Sequence, residues 1–231
     1  MSATKFYPLS ANRAVALCAA IPAEMAMTIS LNQLGKRYQQ HWVFKGITYV
    51  FEAGKQYAVL GANGSGKSTL LRIIAGMQHG NRGKLQYRHN DKEIAADAIF
   101  NHVSYCAPGM DLIEEMSLSE LLHFHFTFKK IRQGFTVAGI IEAMGMHAVR
   151  DKFIHEFSSG MKQRVKLAQA FFTETPMLLL DEPCSNLDLQ GVGMYQHWLQ
   201  QYTSGRLVII ASNDEREYEG VADTISIQDY Q

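Results

Sequence analysis

From residue 27 onward the chain alternates short apolar runs with helically spaced apolar stripes, separated by glycine and polar turns. "MTISLNQL" opens the first predicted strand, and "QYAVL" (56–60), "HVSYC" (102–106), "TPMLLLDEP" (175–183) and "RLVIIAS" (206–212) read as further short strands. Between them, "STLLRIIAG" places Leu70, Leu71, Ile74 and Ala75 at helical spacing. In "FSSGMKQRVKLAQAFF" (157–172), Ser158 is a helix N-cap, and Val165, Leu167, Ala168 and Phe171 lie on or beside one apolar face. "SLSELLHFHFTFKK" opens on a Ser-x-Ser-Glu start signal at Ser117, and Leu118, Leu121, Leu122, Phe124 and Phe128 form a broad stripe. "TVAGIIEAMGM" reads as another helix. Strands interleaved with helices predict an α/β fold. No internal repeat or low-complexity linker interrupts it.

One junction carries chemistry. "GANGSGKST" (61–69) fits G-x-x-x-x-G-K-[ST] and lies between a predicted strand and a predicted helix, the setting a phosphate-binding loop requires. Glycines let backbone amides turn inward around phosphates, and the helix N-terminus adds partial positive charge. Gly61, Asn63, Gly64, Ser65, Gly66 and Thr69 belong to this cradle. Lys67 is placed to bridge β- and γ-phosphates, and Ser68 to ligate Mg²⁺. Downstream, the strand Met177–Leu180 delivers two carboxylates at its C-terminal end, where open α/β sheets bind ligands. Asp181 would hold Mg²⁺ through its water shell, and Glu182 would polarise an attacking water.

Composition narrows the class. The 231 residues make one large domain or a domain with a subdomain, 47% hydrophobic residues are enough for a core, and no run reaches the roughly 18 apolar residues of a membrane span. Net charge +0 and pI near 7.1 give no global footprint for nucleic acid, so none is expected as a partner. Cys18, Cys106 and Cys184 are isolated and odd in number, which suggests neither a disulfide framework nor a zinc site. His123 and His125, two apart on a helix, face different directions and make a poor metal pair. Residues 1–26 hold an apolar stretch from Ala14 to Ile21 and read as a loose arm or as the product of an early start codon, with Met25 or Met27 a natural start.

The phosphate loop, "SSGMKQR", "LLLDEP" and "SNLD", in that order and spacing, resemble the ATP-binding cassette (ABC) ATPase family over residues 28 to about 228. The resemblance implies a P-loop NTPase core with a mostly parallel sheet, an N-terminal antiparallel β-subdomain and a small inserted helical subdomain. Residues 28–106 and 157–231 would form the core with its β-subdomain, and 107–156 the helical part, within one domain 27–231. It also implies two cassettes, a homodimer or heterodimer, closing head to tail around two ATP. Ser158, with the Ser159 and Gly160 backbone, would cap the partner's γ-phosphate. Met161 replaces the family's glutamine and cannot donate as an amide does. Tyr38 lies where the family stacks an aromatic on adenine, with Trp42 as a rival, and Asp188 would act in the loop at the dimer interface.

Two departures stand out. After "HVSYC" the family carries a glutamine that senses Mg²⁺ and water; here Ala107 or Pro108 takes the place. After "RLVIIAS" it carries a histidine at the γ-phosphate; here Asn213 stands, which donates one amide hydrogen bond but exchanges no proton near neutral pH. The expectation is an ATPase, slow or tightly regulated, that drives a separate transmembrane permease from the cytoplasmic face of the membrane. A nucleotide-binding regulator with little or no turnover is the alternative. Residues 109–156 would dock on the permease, with a groove near Phe124 to Phe128 a candidate surface, although aromatics there belong more often to a core.

Overall fold

A computed structural model describes residues 26–231; the expectation for the N-terminal arm and for Cys18 lies outside them, apart from Ala26. Two sheets organise the fold. The first has the order β2-β1-β4-β5 and is antiparallel: β1 (Met27–Tyr38), β2 (His41–Phe51), β4 (Arg82–His89) and β5 (Lys92–Ile94). In β1 the alternation Met27, Ile29, Leu31 faces the core until Gln33, whose φ of 51° marks a bulge. The bulge returns Leu34 to the buried side, and the strand runs beyond "MTISLNQL" to Tyr38.

The second sheet is wholly parallel, with the order β6-β7-β8-β3-β9: β3 (Gln56–Leu60), β6 (Val103–Cys106), β7 (Met177–Asp181), β8 (Leu207–Ser212) and β9 (Asp223–Ser226). β7 and β8 are buried along their whole length, as continuous apolar strands of a parallel sheet must be. Their alternate residues feed two cores. Leu178, Leu180, Val208 and Ile210 pack with the helices α4 (Ser159–Phe171) and α5 (Leu189–Gln201). Met177, Leu179, Leu207 and Ile209 pack with α1 (Lys67–Ile74) and the antiparallel sheet.

Helices α2 (Leu118–Phe128) and α3 (Val137–Ala143) complete the first core. The start signal at Ser117 is a capping box: its hydroxyl accepts from the Glu120 amide, and the Glu120 carboxylate accepts from the Ser117 amide at 2.9 Å. The stripe expected on α2 is only partly a core face. Leu118, Leu121 and Leu122 are buried, whereas Phe124 and Phe128 are 41% and 75% exposed and contact each other edge to face. The helix stays supported along its length, with Phe126 packed on the core and His125 Nε2 3.0 Å from Thr173 Oγ1, while the two exposed rings lie off the covered face.

Candidate nucleotide-binding and hydrolysis site

β3, β8 and β7 are neighbours, so the segments following their C-terminal ends meet along one edge of the sheet. β3 leads into the glycine loop, which turns into α1 at Gly66 with φ 105°, a conformation open to glycine. A Cβ there would also lie 2.3 Å from the Val43 side chain. Ser117, Thr136, Ser158 and Asp188 each cap their helix with a side-chain oxygen. α1 has no side-chain cap, so its first amides remain available to an anion. Inside the loop the Ser65 hydroxyl is buried and without a partner. Lys67, 4% exposed, donates from Nζ to the carbonyls of Gly61 at 2.7 Å and Ala62 at 3.2 Å. A cradle of free amides, an orphaned hydroxyl and one buried ammonium fits a polyphosphate.

The expected metal pair is in contact: Ser68 Oγ donates to Asp181 Oδ1 at 2.9 Å, and Tyr105 Oη lies 3.4 Å from Oδ2. Burial raises the Asp181 carboxyl above its ordinary range, the Ser68 hydrogen bond opposes this, and the neighbouring Glu182 adds to it. A buried hydroxyl–carboxylate pair with this unfavourable desolvation suits a divalent cation held by oxygen ligands. Glu182 is half-buried and sits at φ 44°, unusual for a residue with a side chain. Its amide donates to Ala211 O on β8 at 2.9 Å. Asn213, just past β8, donates from Nδ2 to Asn63 Oδ1 of the glycine loop at 3.1 Å. Lys67, Ser68, Asp181, Glu182, Asn63 and Asn213 thus form one site.

The other expected residues make contacts of their own. Tyr38 is 48% exposed, and its hydroxyl accepts from Gln78 Nε2 at 2.7 Å; that bond first, with the Thr69 hydroxyl as a smaller contributor, lowers its pKa. Trp42 is 39% exposed, with Arg37 and Lys45 each 5.7 Å from its ring centroid. Ser158 and Ser159 are exposed at the start of α4, where the Ser158 hydroxyl accepts from the Met161 amide at 3.3 Å. Gly160 lies against Asn186 rather than against the glycine loop. Asp188 is the N-cap of α5, accepting from Gly191 N at 2.8 Å and pairing with Arg164 at 2.7 Å. Ala107 is buried, and the loop after it is tied to α4 by Lys166 Nζ donating to Pro108 O at 2.6 Å.

Sequence reasoning passed over two buried polar residues. Gln163 on α4 is 2% exposed, and its Nε2 donates to Pro183 O at 2.9 Å. It shares the helical spacing of Leu167, Ala170 and Phe171, so a polar residue on an apolar face was the available signal. Glu217 is 4% exposed and accepts from the Cys184 amide at 2.6 Å, but its second oxygen has no partner. No local pattern marked it.

The sequence profile of the family described as ABC transporter matches residues 44–185. The chain is 31% identical over 214 residues to the sulfate/thiosulfate import ATP-binding protein CysA of Yersinia pseudotuberculosis, covering 87% of this chain and 58% of CysA. It is 30% identical to the ABC transporter ATP-binding protein YybJ of Bacillus subtilis, covering 84% and 89%. The chain therefore spans little more than half the length of the CysA relatives. In fold it is similar to a dimeric ATP-binding cassette in a post-hydrolysis state with ADP and Pi, with TM-score 0.74, 19% identity and coverage of 86% and 93%. It is also similar in fold to an ATP-binding subunit of an ABC transporter, with TM-score 0.72, 24% identity and coverage of 86% and 85%.

Proposed function

The chain belongs to the ABC transporter family of ATP-binding proteins, and from that premise we propose that it is an ATP-hydrolysing subunit that drives a separate transmembrane permease. The observation carrying this reading is the single connected site at the sheet edge, where Lys67, the Ser68–Asp181 pair and Glu182 converge. The free α1 amides, Ser65 and Lys67 would hold the phosphates of ATP, with Tyr38 against the adenine. Ser68 and Asp181 would hold Mg²⁺, whose charge offsets that developing on the transferred phosphoryl group. Glu182 orients and polarises the attacking water. Asn213, already bonded to the glycine loop through Asn63, donates toward the γ-phosphate but cannot shuttle a proton.

Two chains close head to tail, as a homodimer or with a related subunit. Each presents Ser158, Ser159 and Gly160 at an exposed helix N-terminus to the other's phosphates, where the helix dipole favours a trianion. Turnover is slow, because loss of a positioned donor costs on the order of a hundredfold and Asn213 recovers only part of it.

Among the described residues no helix is long and apolar enough to cross a membrane. A groove of about 420 Å³ runs between α2, the end of β6 and the 3-10 turn Ala96–Asn101. Exposed Met77 and Phe100 line it, and a cytoplasmic loop of the permease is its occupant. The buried apolar Ala107 and the Asn213 substitution favour one second reading, a nucleotide switch with little turnover.

Mg²⁺-dependent ATP hydrolysis measured against protein concentration separates the two. A rate rising faster than linearly supports the dimeric ATPase. ATP binding without turnover at any concentration supports the switch.

A further inference from the structure

The catalytic carboxylate proposed above is held in an unfavourable backbone conformation, and the groups that hold it reach into the helix expected to cap the partner's ATP. At φ 44°, Glu182 occupies a region that is unfavourable for a residue with a Cβ and persists only where the surroundings over-determine it. The peptide groups of the segment are pinned one after another. Glu182 N donates to Ala211 O at 2.9 Å, Cys184 N to Glu217 Oε1 at 2.6 Å, and Ser185 N to Glu182 O at 3.1 Å. The carbonyl between them, Pro183 O, is held by Gln163 Nε2 at 2.9 Å.

Gln163 is one turn from the signature residues Ser158–Gly160 on the same helix, α4. Its amide also lies 3.8 Å from Cys106 Sγ, at the end of β6 and immediately before Ala107. One buried carboxamide therefore joins the signature helix, the Glu182 segment and the strand leading into the loop that lacks the family's glutamine.

We propose that Gln163 is a positioning residue: by holding Pro183 O it fixes Glu182 in its strained conformation and ties the setting of that carboxylate to the position of α4. Displacement of α4 when its N-terminus meets a partner's phosphate then reaches Glu182 through a hydrogen bond inside the same chain. The inference rests on the ATPase reading for its kinetic consequence. Its structural content does not depend on turnover.

Two substitutions and two readouts test it. Gln163→Met keeps the length of the side chain and removes the donor; Val165→Ala removes apolar volume from the same helix and keeps the Gln163 donor to Pro183 O. Gln163→Met is expected to lower kcat at least about tenfold with KM for ATP within about twofold, the signature of a group misplaced for the chemical step. Val165→Ala is expected to lower Tm and leave kcat unchanged. Amide hydrogen exchange at Cys184 and Ser185 is expected to accelerate about tenfold or more in Gln163→Met and to stay at the wild-type rate in Val165→Ala. Unchanged exchange in Gln163→Met overturns the proposal, as does a fall in kcat that tracks Tm equally in both variants. If the wild-type chain shows no turnover, the hydrolysis reading fails, and the exchange result alone decides the role of Gln163.

Discussion

Replacing Gly160 with alanine sets two calculable effects against each other. Gly160 is the second residue of α4, and a Cβ built there stands 2.7 Å from the backbone oxygen of Asn186, where ordinary contact begins at 3.4 Å. About 0.7 Å must be made up, and the neighbour is main chain rather than a flexible side-chain end. Asn186 sits at φ 64°, and two residues on Asp188 caps α5 and pairs with Arg164 of α4. Overpacking of this kind costs about 1–3 kcal/mol, and the better helix propensity of alanine returns up to about 1 kcal/mol. The net loss is about 0–3 kcal/mol, a Tm lower by at most about 12 °C for a domain of this size. Gly193 of α5 supplies the control, because a Cβ there meets nothing within 4 Å. Gly193→Ala should gain about 1 kcal/mol and raise Tm by about 2–4 °C. Thermal unfolding and ATP hydrolysis of the two variants decide the matter. Gly160→Ala should lose hydrolysis about tenfold or more while staying folded, because in the proposed head-to-tail dimer the displaced Asn186–Asp188 loop and α4 would both face the partner cassette. Stabilisation of Gly160→Ala equal to that of Gly193→Ala, with full hydrolysis, would refute the reasoning.

Three further outcomes are expected. In ATP titrations Tyr38→Ala should weaken binding by about 1–3 kcal/mol, the worth of one stacked base, and Trp42→Ala should leave it near wild type; the reverse order would assign the adenine to Trp42. Asn213→His should raise kcat, and an unchanged or lower rate contradicts the part given to that position. Burial raises the Glu217 carboxyl, so the folded protein keeps a proton there that the unfolded chain has released. That contribution to stability is fully present below the ordinary carboxylate range and is lost as pH rises through the raised value. Relative to wild type, Glu217→Gln should therefore show a flatter fall in Tm from that range upward, and two parallel curves would contradict the assignment.

Much of the site is legible in sequence because its signals are local. The glycine loop, the Ser158 cap, the Ser117 capping box and the acids ending β7 each announce themselves within a few residues. What escapes is long-range. Gln163 meets a carbonyl 20 residues further on, and Glu217 meets an amide 33 residues back, so neither partner can be read from spacing. Periodicity gave α2 an apolar stripe but not which part of its circumference is covered: Phe126 packs on the core while Phe124 and Phe128 emerge into solvent. It also carries no strand order, which is what makes β3, β8 and β7 neighbours and closes the site.

Sedimentation of Glu182→Gln with and without Mg-ATP tests the central claim most directly. If ATP closes two cassettes and hydrolysis reopens them, this variant should move from 26.0 kDa to about twice that mass on adding ATP and show no hydrolysis. Lys67→Ala in the same background should abolish the shift. A Glu182→Gln protein that stays at 26.0 kDa with ATP bound, or that hydrolyses ATP at the wild-type rate, would contradict the account.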